Sequence, residues 1–133
     1  MGPRGCAGGL WRQPLGPMGP FTHWPSGMGF DYFYGFTHAR NIGAIIEQDK
    51  AVAHVEAIEN QPMMVKKALE YLDERAKEDK PFFLYFPHTA MHVPLFPHQD
   101  FIGKSENGTY GDWVAEVDWS VGQVLDALKR HGL

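Results

Sequence analysis

The sequence has a single cysteine, Cys6, among its 133 residues, which excludes an internal disulfide framework. Basic residues are also few: 12 Lys and Arg stand against 16 Asp and Glu. The resulting formal charge of −4 argues against nucleic acid or an anionic membrane as a partner. No apolar run approaches the roughly 20 residues that cross a bilayer, and residues 1–6 lack the apolar core of a signal peptide. The composition instead predicts a globular protein.

Acidic residues are missing from the first part of the chain, where none precedes Asp31. Residues 1–29 instead hold eight of the 15 glycines and five of the 10 prolines. Such a stretch cannot form long helices or a packed sheet. We therefore predict an irregular Gly/Pro-rich segment over residues 1–23, with non-native sequence as the alternative, and a folded domain over residues 24–133.

A continuous apolar run occupies residues 81–86 and stops at Pro87. Runs of this length between breakers are typical of strands buried on both faces, as in a parallel sheet. His88 and His92 follow the run, and ligands in open α/β sheets bind beyond the carboxyl ends of strands. The sequence therefore predicts an α/β fold whose strand delivers imidazoles to a functional site.

A helix is predicted before this strand and another after it. Asn60 is expected to cap the first, which runs to about Lys77, with an apolar stripe of Val65, Leu69, Leu72 and Ala76. The second begins near Thr109, where Thr109 and Asp112 have capping-box spacing, and Gly132 is its expected stop. Its expected apolar face consists of Val114, Val117, Val121, Val124, Leu125 and Leu128. Residues 43–58 are expected to form two short strands and a turn.

The histidines admit more than one function. His88 and His92 have the spacing of a zincin helix, but prolines on both sides exclude a regular helix. Adding His98 leaves a set with no cysteine or carboxylate in the loop, so no metal site is predicted. His92 is the better candidate for contacting substrate, because Val93-Pro94 restrains its backbone and an imidazole can transfer a proton near neutral pH. A hydrogen-bonded structural histidine is the alternative.

Three further features carry weaker signals. Asn107-Gly108-Thr109 is an N-glycosylation sequon on an expected surface loop. Cys6 has no nearby base, which argues against a nucleophilic role. Glu116 and Asp118 are expected to be solvated or structural.

Five motifs, in order, resemble those of the arylsulfatase-type sulfatases. They are the aromatic box 29–35, the run 81–86, His92-Val93-Pro94, Tyr110-Gly111-Asp112 and the stretch 116–122. The resemblance covers about residues 24–133. It implies a partial alkaline-phosphatase-like fold with a mostly parallel central sheet flanked by helices, and hydrolysis of a small-molecule or glycan sulfate ester.

The resemblance also implies roles for individual residues. The family's His-x-Pro histidine, which touches the sulfate ester, falls on His92. A further polar contact to substrate falls near Ala39, where His38 or Arg40 is the candidate. A complete family member would use calcium and a formylglycine made within a Cys/Ser-x-Pro-x-Arg motif, and would be secreted, periplasmic or lysosomal.

This chain departs from the family pattern at its nucleophile. Ala7-Gly8-Gly9 follows Cys6, so the formylglycine motif is absent, as are the family's calcium-binding aspartates. We therefore expect an internal piece of a sulfatase that is inactive and poorly soluble alone. Two alternatives remain at this stage: another alkaline-phosphatase-like hydrolase, such as a phosphodiesterase or phosphonate hydrolase, and a degenerate binding protein without enzymatic activity.

Overall fold

The computed structural model describes residues 25–36 and 44–133. The chain divides into two compact units, residues 1–33 and residues 34–133. In the first unit, a 3-10 helix spans Pro25–Met28. Gly29 follows it with a φ of 99°, a backbone conformation that favours glycine. The Phe30 N–H then donates to the carbonyl of Pro25 at 3.1 Å, which closes a turn at the start of the aromatic box.

Three short antiparallel strands open the second unit. They are β1 (Tyr34–Gly35), β2 (Ala44–Glu47) and β3 (Lys50–His54), in the order β1-β2-β3. The β2–β3 pair and its turn confirm the prediction for this region. Neighbouring residues of a regular strand point to opposite faces, yet Ile45 and Ile46 are both fully buried. A register shift between them accounts for this.

The prediction of a buried strand at residues 81–86 is wrong for the part of the chain that the structure describes. These residues form no ladder with any described strand, and the sheet that is described is antiparallel rather than parallel. Phe83 and Tyr85 are 75% and 66% exposed. The alternate residues are half-buried, and the ring of Phe82 packs edge-on against Tyr71 at 6.3 Å. A strand buried on both faces needs neighbours on both sides, and the described residues provide none.

Helix α1 (Asn60–Arg75) agrees closely with its predicted span. Val65, Ala68 and Leu72 are buried along one side, as apolar residues at helical spacing should be. The expected capping by Asn60 is wrong: the cap position is Glu59, and Asn60 is the first helical residue, with 2% exposure. The Asn60 side chain is used in a tertiary contact instead, described below.

Helix α2 (Gly108–His131) packs against α1 and ends at Gly132, whose φ of 71° confirms the predicted stop. The predicted buried face is wrong. Val114, Val121 and Leu125 are 38%, 42% and 59% exposed. The buried residues of the helix are instead Gly111, Asp112, Trp113, Glu116, Ser120 and Ala127. The apolar pattern identified an amphipathic helix but not the side that packs, because the packing side carries polar residues with tertiary partners.

Candidate functional site

The loop after the apolar run, residues 87–98, is held between the two helices by polar side chains; we call it the histidine loop. The Asn60 amide, at the start of α1, donates to Thr89 Oγ1 at 2.9 Å. The adjacent Gln61 donates from Nε2 to Ser120 Oγ on α2, at 3.0 Å, and the same Nε2 lies within hydrogen-bond reach of His88 Nδ1. Buried polar groups need such partners, and here the partners fix the loop.

The contacts of Gln61 determine the protonation of His88. An amide nitrogen only donates, so Nδ1 of His88 accepts and the proton of the neutral ring lies on Nε2. Ser120 donates its own hydroxyl proton to the carbonyl of Val117 at 2.7 Å, which leaves its oxygen free to accept from Gln61. Burial lowers the pKa of His88 below the ordinary 6.5. His88 is therefore a neutral, clamped imidazole.

His92 has the opposite arrangement. Its Nδ1 lies 2.6 Å from the carbonyl oxygen of Val93, and a carbonyl only accepts, so Nδ1 carries the proton. The Nε2 of His92 has no hydrogen-bond partner among residues 25–36 and 44–133. The backbone N–H of His92 donates to the Thr89 carbonyl at 3.3 Å, so the loop turns back on itself here. This half-exposed ring can both take up a proton at Nε2 and donate it.

His98 lies at the end of the histidine loop and is fixed by a buried carboxylate. Its backbone N–H donates to Glu116 Oε2 at 2.9 Å, and its ring lies 3.6 Å from Glu59 and 3.3 Å from Asp100. Glu116 is fully buried, and its Oε1 has no hydrogen-bond partner in the described part of the chain. Burial raises the pKa of Glu116, an effect that the His98 N–H offsets in part.

Asp112 anchors the chain between the histidine loop and α2. Its two carboxylate oxygens accept the backbone N–H groups of Gly103 and Ser105, at 2.9 and 2.8 Å. These hydrogen bonds lower the pKa of Asp112. The predicted capping box with Thr109 is therefore wrong, since Asn107 occupies the cap and Asp112 binds the preceding loop.

The structure places His88 and His92 in one loop and gives their rings different hydrogen-bond partners. Asn60, Gln61, Glu116 and Ser120 were missed as site-supporting residues from sequence. The one signal in the sequence that could have identified them was the presence of polar residues at helix positions that face the core. His38, Arg40 and Cys6 lie outside the described residues, so their expected roles stay predictions. Within the described ranges, no group of three or more His, Cys, Asp or Glu side chains is arranged to hold a metal ion.

Comparison with known proteins identifies the family. The family model described as Sulfatase matches residues 13–133. Human Arylsulfatase H is 37% identical over 113 residues, covering 85% of this chain and 19% of that protein. Mouse N-acetylgalactosamine-6-sulfatase is 37% identical over 71 residues, covering 53% of this chain and 14% of the relative. Human steryl-sulfatase is 50% identical over 50 residues, covering 38% of this chain and 9% of the relative.

Solved structures agree in fold. A protein named BT33336S-sulf was solved in work on the metabolism of glycosaminoglycans by Bacteroides thetaiotaomicron. This chain superimposes on it with a TM-score of 0.71 at 20% identity, covering 78% of this chain and 33% of that one. The crystal structure of Ps i-CgsB in complex with k-i-k-neocarrahexaose gives 0.70 at 21% identity, covering 84% and 31%. This chain therefore has part of an α/β, alkaline-phosphatase-like fold.

The chain spans about a fifth of the length of Arylsulfatase H and a third of the solved structures it resembles. Within that span, the family model matches nearly all of the chain, including both helices and the histidine loop. The chain belongs to the sulfatase family.

Proposed function

We propose that this chain carries part of the catalytic domain of a sulfuric ester hydrolase, with His92 contacting the sulfate ester. The observation that supports this role most strongly is the Nε2 of His92, which has no partner among the described residues while Nδ1 is tied to the Val93 carbonyl. His88, the rival in the same loop, has Nδ1 occupied by Gln61 and serves to fix the loop. His38 and Arg40 remain proposed further contacts to substrate.

The chemistry of His92 follows from its two ring nitrogens. With Nδ1 protonated, Nε2 can accept a proton, and after protonation it donates a charge-assisted hydrogen bond to an anionic sulfate oxygen. The same proton can pass to the oxygen of the departing alcohol as the sulfur–oxygen bond breaks. The carbonyl of Val93 holds the ring in one orientation throughout.

The substrate that we propose is a sulfate ester on a small molecule or a glycan. Mouse N-acetylgalactosamine-6-sulfatase is named for a sulfated sugar, and Ps i-CgsB was solved with a carrahexaose. Both support a glycan for the present chain without choosing one. No helix in the described ranges is long and apolar enough to cross a membrane. Secreted, periplasmic or lysosomal placement is proposed for a complete member.

The family's calcium and formylglycine do not fit the residues at hand. None of the 133 residues forms the Cys/Ser-x-Pro-x-Arg motif, and the described residues hold no cluster of metal-ligating side chains. We therefore derive no step through either group and propose that the 133-residue chain does not hydrolyse sulfate esters by itself. Turnover of an aryl sulfate by the purified chain, abolished by His92→Ala, would contradict this.

A chimera tests the role of His92. An active steryl-sulfatase would receive residues 81–133 of this chain, which contain the histidine loop and α2, in place of its own corresponding residues, and would be assayed with an aryl sulfate and the corresponding aryl phosphate. We expect sulfate hydrolysis to persist and His92→Ala to lower kcat at least about 100-fold, the usual scale for a proton-transferring side chain. His131→Ala is the matched control, because His131 is an exposed residue at the end of α2 and lies in the same transplanted segment. Unchanged kcat in His92→Ala, or hydrolysis of the phosphate alone, would overturn the proposal.

A further inference from the structure

We propose that Asn107 is an N-glycan attachment site. Asn107-Gly108-Thr109 is the single Asn-x-Ser/Thr triplet with a residue other than proline at x in the 133 residues. Such triplets also occur by chance, so the proposal depends on how the fold presents this one. Asn107 and Thr109 are both exposed, at the junction between the loop and α2.

The fold holds the backbone of Asn107 and leaves its side chain free. The backbone N–H donates to Ser105 Oγ at 3.1 Å, and Ser105 itself is anchored through its N–H to Asp112. An asparagine at a helix cap ordinarily uses its side chain to accept a backbone N–H of the first turn. At Asn107 that hydrogen bond is absent. The amide group therefore stands in solvent while the chain on either side is fixed.

Two glycines permit this presentation. Gly108 has a φ of 63°, the left-handed conformation that turns the chain into the helix directly after Asn107. Gly111 lies beneath the loop, where an added Cβ would come within 2.8 Å of the Asn107 Cβ and 2.1 Å of Ser105 Oγ. A side chain at Gly111 would displace Ser105 or Asn107, and one at Gly108 would be strained by the left-handed backbone. The local sequence thus builds a tight loop with the amide outermost.

The modification is a group transfer from a lipid pyrophosphate-linked oligosaccharide. The Asn107 Nδ2 forms a bond to the anomeric carbon of the first sugar, and the bond from that carbon to the pyrophosphate oxygen breaks. The lipid pyrophosphate leaves with the bonding electrons, and Nδ2 gives one proton to a base of the transferase. Asn107 Nδ2 has no hydrogen bond to a described residue, so the attached glycan replaces solvent alone.

The test uses the full chain behind an added cleavable signal, translated in the presence of endoplasmic-reticulum microsomes. We expect one glycan per chain, removable by a peptide N-glycosidase. Asn107→Gln and Thr109→Ala should each abolish it, whereas Thr109→Ser should retain it. An imported chain with its signal cleaved but without a glycan, or a glycan that survives Asn107→Gln, would overturn the proposal.

A relocated sequon controls for the structural part of the argument. Pro62→Thr combined with Asn107→Gln creates an acceptor triplet at Asn60, which is 2% exposed and bonded to Thr89. The glycan at Asn107 should shift the melting midpoint by less than about 3 °C relative to the chain made without microsomes. A glycan at Asn60 should lower it further or prevent folding. Equal shifts at both positions would show that exposure of Asn107 does not matter. Glycan attachment and the melting midpoint are measured without any assay of sulfate hydrolysis, so both tests are independent of the proposed enzymatic function.

Discussion

His88 and His92 lie four residues apart in one loop, yet the fold uses their rings in opposite ways. His88 accepts at Nδ1 from Gln61, whereas His92 donates from Nδ1 to the carbonyl of Val93. The first ring is clamped between helices and its pKa is lowered by burial. The second keeps a nitrogen without a partner among the described residues. Residue type is the same in both, so the two rings differ in the partner of Nδ1 and in the position of the proton on the neutral ring.

The largest expected effect is a difference in stability between the alanine variants of His88 and His92. His88→Ala removes the acceptor of a buried Gln61 N–H, and we expect the free energy of unfolding to fall by about 1–3 kcal/mol. His92→Ala removes a half-exposed ring and should change it by less than about 0.5 kcal/mol. Urea unfolding of the 133-residue chain measures both. Equal losses would mean that the two histidines are not divided as described.

The second effect is the pH dependence of stability that His88 contributes. Its folded-state pKa lies below the ordinary 6.5, so the unfolded chain takes up a proton more readily than the folded chain. The contribution of His88 to the free energy of unfolding should be complete above pH 6.5. It should decrease as the pH drops from there toward the folded-state pKa of His88. The loss should stay below about 1 kcal/mol, because the ring is only partly withdrawn from water. His88→Gln should remove this slope and His92→Gln should keep it.

Glu116 extends the comparison to the third histidine, His98, because its carboxylate accepts the backbone N–H of His98. Its pKa is raised by burial, so the folded chain retains a proton that the unfolded chain releases above the ordinary 4.5. Stability should therefore fall as the pH rises through this range. Glu116→Gln should lack that slope in acid-to-neutral unfolding curves. Asp118→Asn, at an exposed position of the same helix, is the control and should retain it.

The smallest effect is spectroscopic and carries no change in stability. Long-range proton–nitrogen NMR should find neutral His88 protonated at Nε2 and neutral His92 protonated at Nδ1. Gln61→Leu removes the donor that fixes His88 and should let its two tautomers mix, with His92 unaffected. One common tautomer for both rings in the wild-type chain would break the comparison.

Much of the local structure follows from the sequence because it depends on neighbours in the chain. The span of α1, the β2–β3 pair and the stop at Gly132 rest on periodicity and on turn residues, and each is confirmed. The prediction of a buried strand at residues 81–86 was wrong for the opposite reason. Its apolar run needs partner strands to become a buried strand, and a local pattern carries no information on whether partners are present.

The site was predictable in part. The sequence selected His92 through its resemblance to a family motif, and this role stays a prediction. The structure adds that Nδ1 of His92 is bonded to the Val93 carbonyl, with no partner for Nε2 among the described residues. The hydrogen bonds of Gln61 could not be predicted, because they join residues far apart in the sequence. Gln61 is separated from His88 by 27 positions and from Ser120 by 59. Ser120 and Glu116 also lie outside the apolar stripe that was predicted for α2. Their burial is recognised only when the partners of their polar groups are known.

The inverted burial of α2 has a thermodynamic consequence. The helix buries the side chains of Glu116 and Ser120, whereas Val114, Val121 and Leu125 keep 38–59% of their surface exposed. Apolar surface exposed on unfolding raises the heat capacity, and polar surface lowers it. We therefore expect a heat-capacity change of unfolding, and a urea m-value, below those usual for a chain of this length. The stability curve should be correspondingly flat, so that cooling strengthens this fold little.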